Sequence, residues 1–268
     1  MRKSYKLCMM LLLFGFLCML PNAIHAADKK KEQEFDFNSN KTVTVSEDKS
    51  YAQTEKYTWL KYKAAADGYL TVEVLDPDGA YENAKGYLAL YNSSKTSLLS
   101  SSSIFYNTAN REKSIWYKFT FGMLKGQEYF IRVRSENAVG LTRSFTKVKD
   151  VSGPTRIKAA KLKKNKLRTG LIPAGVTNAD WYLIELTKKQ NLRLYYSAKT
   201  NGSFKLSFYM GAKRIASRNI YQTAEQQKLV LRLKKTSGKQ SGMNPGKYYI
   251  KIERANSTSS GFYKIKWN

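Results

Sequence analysis

The stretch GKYYIKIERANSTSSGFYKIKWN at residues 246–268 decides the fold, because an earlier stretch, GQEYFIRVRSENAVGLTRSFTKVK at 126–149, has the same plan. Each opens on Gly, continues as an aromatic and aliphatic run alternating with Arg or Lys, and crosses a polar segment containing Gly. Each then closes on a second alternating run. Period-two alternation is the signature of a strand with one buried and one solvated face, and two such runs around a turn read as a hairpin.

Working outward, the same period dominates the chain. TVTV (42–45), YLTVEV (69–74), YLALY (87–91), IWYKFTF (115–121), YFIRVR (129–134) and SFTKVK (144–149) are β-rich runs separated by Gly, Asn, Ser and Asp. Beyond VSGP at 151–154 follow WYLIEL (181–186), LRLYY (192–196), FKLSFY (204–209), KLVLRLK (228–234), YYIKIE (248–253) and FYKIKW (262–267). No amphipathic helix stands out, although EDKSYAQTEKY at 47–57 has room for a short turn. Many short strands with turn signals between them predict an all-β chain of antiparallel sandwiches or barrels.

The repeat extends beyond the hairpins. Trp59 with its following strand matches Trp181, GYLALYNSSKTSLLSSSS (86–103) matches FKLSFYMGAKRIASR (204–218), and KSIWYKF (113–119) matches QKLVLRL (227–233). The order is conserved and the offset stays near 120 residues, too long for a solenoid repeat of about 20–50 residues. Two tandem β-sandwich domains are therefore expected, at 41–150 and 155–268, with the break where Asp150, Ser152, Gly153 and Pro154 interrupt the strands. Residues 27–40 (ADKKKEQEFDFNSN) are polar and read as a flexible lead.

The first 26 residues read as a secretory signal peptide. Arg2, Lys3 and Lys6 precede the apolar run 8–20, which is shorter than the roughly 20 residues a span needs, and small Ala26 marks a cut. No other stretch is apolar enough to span a bilayer. Both cysteines, Cys8 and Cys18, and the single histidine, His25, lie in that segment. The expected mature chain thus has no thiol nucleophile, imidazole base, disulfide or Cys/His metal ligand, which excludes Ser-His-Asp, Cys-His and zinc-protease chemistry.

Charge separates the halves. Residues 27–153 carry 19 basic and 16 acidic groups, whereas residues 154–268 carry 25 basic groups against Asp180, Glu185, Glu225 and Glu253 alone. So lopsided a balance points to an anionic partner for the second half. On strands, alternate residues share a face, which places Lys228, Arg232, Lys234, Lys251, Lys264 and Lys266 on exposed sheet faces. Lys161, Lys163, Lys164, Lys166 and Arg168, then Lys213, Arg214 and Arg218, add to the same field from turns. The bland alternative is a soluble, edge-protected sandwich.

The second half resembles the bacterial pre-peptidase C-terminal domain family. TGLIPAGVTNADWYLIEL (169–186) resembles its opening, with a Gly-started strand, a polar loop and Asp-Trp-Tyr. NLRLYY and FKLSFYMGAKRIASR resemble its next strands, and PGKYYIKIERANSTSSGFYKIKW its closing hairpin. The first half is similar but looser, since Trp59 lacks the preceding Asp and GMLKGQEYFIRV replaces the Pro-Gly turn. The resemblance implies a secreted, jelly-roll-like β-sandwich without catalysis, of a kind usually appended to extracellular enzymes. Some members bind collagen, glycans or calcium.

The remaining candidates are weaker. LDPDGAYEN (75–83) groups Asp76, Asp78 and Glu82 as oxygen ligands for calcium, yet Asp-Pro-Asp-Gly is also an ordinary turn. No other cofactor is indicated. Tyr195, Tyr196, Tyr209 and Tyr221 are candidates for stacking on sugars or bases, while Trp59 and Trp181 read as packing residues. The expectation is a secreted, non-enzymatic protein, extracellular or associated with a cell wall, whose basic second half holds an anionic polymer such as teichoic acid, an acidic glycan or extracellular DNA. A carbohydrate-binding module acting through exposed Tyr or Trp is the alternative. A carboxylate-dependent hydrolase or secreted effector ranks below it.

Overall fold

A computed structural model describes residues 33–39, 41–45, 58–75, 85–100, 103–106, 115–135, 138–221, 227–231, 233–234 and 240–268. Among them every regular element is a strand. In chain order these are β1 (Gln33–Asp36), β2 (Val43–Val45), β3 (Thr58–Lys63), β4 (Gly68–Leu75), β5 (Lys85–Tyr91), β6 (Ser103–Tyr106), β7 (Ile115–Met123), β8 (Glu128–Ser135) and β9 (Val139–Lys147). Then follow β10 (Ala160–Lys161), β11 (Arg168–Ile172), β12 (Asp180–Leu186), β13 (Leu192–Asn201), β14 (Phe204–Met210), β15 (Lys213–Ile220), β16 (Gln227–Leu231), β17 (Leu233–Lys234), β18 (Gln240–Ser241), β19 (Gly246–Arg254) and β20 (Ser260–Trp267).

One strand plan occurs twice. The sheet β1-β3-β8-β5-β6 faces β2-β9-β4-β7, and β10-β12-β19-β14-β15 faces β11-β20-β13-β16. Each pair of sheets encloses its own apolar core. Leu60, Leu70, Val72, Leu88, Phe119, Phe121 and Ile131 fill the first, and Tyr182, Ile184, Leu194, Phe204, Phe208, Ile250 and Ile265 fill the second. Alternation puts these side chains on inner faces while the residues between them face out. Among the described residues no helix is long and apolar enough to cross a membrane.

The pairing is antiparallel except at two edges. β1 runs parallel to β3, and β10 parallel to β12. Between the members of each pair the chain passes through the opposite sheet, as β2 or β11, and this crossover permits the parallel orientation. The stretch expected to be a flexible lead also contributes structure. Glu34 and Phe35 lie in β1, the Phe37 N–H donates to Lys61 O at 2.8 Å, and the Phe37 side chain is fully buried in the first core. Its overall polarity hides the alternating aromatics of EFDF, which suffice to seat one edge strand.

Residues Gln33–Asn268 pack as one compact unit, within which the two pairs of sheets meet at a seam. Tyr69 and Phe262 stack with centroids 5.1 Å apart, joined by Val148 and Leu171. The Ala174 N–H donates to Gly122 O at 2.9 Å, and Asn201 Nδ2 donates to Ser100 Oγ at 2.9 Å with both residues buried. Gly122 allows this approach, because a Cβ there would lie 2.4 Å from Ile172 O and 3.0 Å from the Gly261 nitrogen.

The tryptophans take matching places. Trp59 stands in register with Arg132 and Ala89, and Trp181 with Lys251 and Ser207. Trp59 is 4% exposed and packs edge-on to Tyr91 and Phe130 at 5.3 and 6.2 Å, with Lys95 and Arg132 over the rings. Trp181 is half-buried against Tyr209 at 5.6 Å.

Candidate anion-binding face

The residues that carry charge on the second pair of sheets divide by face. On the outer side of β11-β20-β13-β16, strand register lines up Lys228, Tyr195 and Lys266 across β16, β13 and β20. A second row sets Thr169, Lys264 and Ser197 across β11, β20 and β13. Arg193 is exposed beside Val230 at one end of the face, and Lys199 is exposed near the other. There Leu171 and Phe262 are buried at the seam.

The loop after β10 closes one edge of this face. Trp267 Nε1 donates to Leu162 O at 2.6 Å, and the Asn165 N–H donates to Trp267 O at 2.7 Å. Asn165 has φ of 59°, a left-handed conformation that asparagine tolerates better than most residues. The turn so pinned projects Lys163, Lys164 and Lys166 into solvent, with Lys164 Nζ 6.0 Å from the Trp267 ring centre. Between loop and sheet lies an open depression of about 380 Å³, lined by Asn165, Leu167, Tyr195, Tyr196, Ser197, Lys264 and Lys266.

Acids are placed elsewhere. Glu185 pairs with Lys161 on the opposite sheet, and Glu253 pairs with Lys251 there at 2.5 Å. Asp180 sits 7% exposed at the inner end of β12. Among the described residues of the second half no carboxylate stands on the β11-β20-β13-β16 face. The cations expected from the sequence therefore split. Lys228, Lys264 and Lys266 come together, with Lys163, Lys164 and Lys166 along the loop and Arg168 half-buried at the head of β11. Lys161 and Lys251 lie on the opposite sheet within ion pairs, and Lys213, Arg214 and Arg218 are exposed on its edge strand β15. Arg232 and the Lys234 side chain, with Asp76, Asp78 and Glu82, lie outside the described residues.

Arg193 and Lys199 were not among the expected cations, although the alternation in NLRLYYSAKT already puts both on the outer face of β13. Of the expected stacking residues, Tyr195 is half-buried on the basic face, Tyr196 is 9% exposed and belongs to the core, Tyr209 packs on Trp181, and Tyr221 is 67% exposed.

A second hollow, of about 280 Å³, lies between Asp67, Leu124 and Asp150 of the first half and Asp180 of the second, with Ser152 of the intervening break on its wall. Burial, and next the Asp150 charge, push the Asp180 carboxyl up to about 7, against the lowering effect of Tyr263 and Ser152. Among the described residues no group of three or more His, Cys, Asp or Glu is placed to hold a metal ion.

No known protein family matches the chain by sequence, and no curated protein does. Among solved structures, the pre-peptidase C-terminal domain of a Bacillus anthracis collagenase is similar at 13% identity and TM-score 0.31, covering 40% of this chain and 92% of that one. The CBM22-1–CBM22-2 tandem domain of Paenibacillus barcinonensis Xyn10C is similar at 11% identity and TM-score 0.21, covering 85% of this chain and 90% of that one.

Proposed function

We propose that this is a secreted, non-catalytic binding protein of two β-sandwich domains, 41–150 and 155–268, whose second domain attaches to an anionic extracellular or cell-wall polymer. One observation carries the reading. The outer face of β11-β20-β13-β16 collects Arg193, Lys228, Lys264 and Lys266, while the described acids of that half are buried or consumed by Lys161 and Lys251 on the opposite side. A device for solubility alone gains nothing from such a division, since charges on either face hydrate equally. A cation face without acids concentrates a polyanion and releases its counter-ions on contact, which gives strongly salt-dependent affinity.

Chromatography of the full chain tests this reading. It should be retained on both heparin and phosphocellulose at low salt and elute as salt rises. Passage through both columns unretained would sink it.

A further inference from the structure

We propose that the basic face recognises acidic polysaccharide in particular, with one pyranose ring lying on Tyr195 and the carboxylate or sulfate of that ring held between Lys228 and Lys266. This rests on the reading of that face as a polyanion site and narrows the class of polymer it takes.

Register is the first argument. Lys228, Tyr195 and Lys266 are direct neighbours on three adjacent strands, so each lysine stems from one strand spacing, about 4.8 Å, to either side of the tyrosine. Lys266 Nζ lies 5.4 Å from the Tyr195 ring centre. Ring and cation are thus within reach of a single small unit that carries both an apolar face and a negative group. An acidic pyranose is such a unit, since its axial C–H bonds form an apolar face and its acid hangs from the same ring. In a nucleotide the base and the phosphate sit at opposite ends of the ribose, so stacking and charge are read further apart.

The depression supplies the second argument. Its volume of about 380 Å³ falls at the lower end of ligand-sized clefts, roughly 300–1,000 Å³. Leu167, 54% exposed, gives it an apolar wall, while Ser197 and Asn165 supply hydrogen-bonding groups that ring hydroxyls require. A mixed lining of this kind suits a polyhydroxylated ring better than a bare polyphosphate, which has no apolar face to set against Leu167.

The full chain would be titrated with polygalacturonate, dextran sulfate, inorganic polyphosphate and single-stranded oligothymidylate, at low and at high salt. Tyr195→Ala should weaken binding of the two polysaccharides about five- to tenfold, as expected for losing one aromatic contact, and leave polyphosphate within twofold. Tyr195→Phe should stay within twofold of the parent on every probe. Lys266→Gln should weaken all of them. An unchanged melting temperature shows that each variant is folded. If Tyr195→Ala binds the polysaccharides as the parent does, if it weakens polyphosphate or oligothymidylate equally, or if Tyr195→Phe falls as far as the alanine variant, the assignment to acidic sugar is overturned while the charge-driven reading stands. If the parent chain binds none of the four at low salt, the reading of the face itself falls.

Discussion

Tyr263 donates its phenolic hydrogen to Oδ2 of Asp180 across 2.6 Å, joining β20 to β12 between the two sheets of the second half. The Tyr182 hydroxyl lies 3.0 Å from that of Tyr263, which extends the network to a third buried residue. In the first half, Thr58 and Leu60 occupy the β3 positions that correspond to Asp180 and Tyr182.

A pH dependence follows from this contact. Asp180 has an ordinary value of 3.8 and is pushed up to about 7 in the fold, chiefly by burial. The folded chain therefore binds this proton more tightly than the unfolded chain, so the contribution is full below about pH 4 and is lost as pH rises through 7. Its full size is on the order of 4 kcal/mol. Melting of the parent and of Asp180→Asn, measured from pH 4 to pH 8, should show the parent losing stability relative to the variant across that window. Parallel curves would refute the assignment.

Replacement of Gly122 should loosen the seam. The Cβ of Gly122→Ala would press on backbone atoms of Ile172 and Gly261, which do not swing aside as a flexible side chain does. A loss of about 1–3 kcal/mol is expected from such overpacking, read as a lower denaturant midpoint. An unchanged midpoint would mean that the two pairs of sheets do not approach so closely.

Charge reversal should depend on the face. Lys228→Glu, Lys264→Glu and Lys266→Glu should each lower affinity for heparin and flatten its salt dependence by about one counter-ion per site. Lys161→Glu and Lys251→Glu, on the paired opposite sheet, should change affinity much less. Equal losses from both groups would point to net charge alone as the determinant.

The tryptophans should differ in cost. Trp59→Ala removes a ring that is 4% exposed among Tyr91, Phe130, Lys95 and Arg132, and should cost about 3–5 kcal/mol. Trp181→Ala removes a half-buried ring and should cost less. Urea unfolding of both variants makes the comparison.

Alternation made most strands legible. YLTVEV falls within β4, LRLYY within β13 and FYKIKW within β20. What the period cannot say is which sheet a strand joins. Lys251 and Lys266 alternate with aliphatic residues in the same way, yet one lies beside Glu253 and Trp181 and the other beside Tyr195, on opposite sides of the sandwich. The expected cations therefore fall on two different sheets, because face assignment depends on long-range pairing. Arg193 was readable from its position between Leu192 and Leu194. The seam was not, because Gly122 and Phe262 look in sequence like ordinary strand residues and differ only in what packs against them.

The seam also has a mechanical meaning. A polymer held at Tyr195 and pulled away would load β13 and β20, and both strands touch β7 of the first half. The Ala174–Gly122 backbone bond, the Asn201–Ser100 bond and the Tyr69–Phe262 stack would then share the strain at once. Load applied at β13 or β20 would thus pass directly into β7 of the first half.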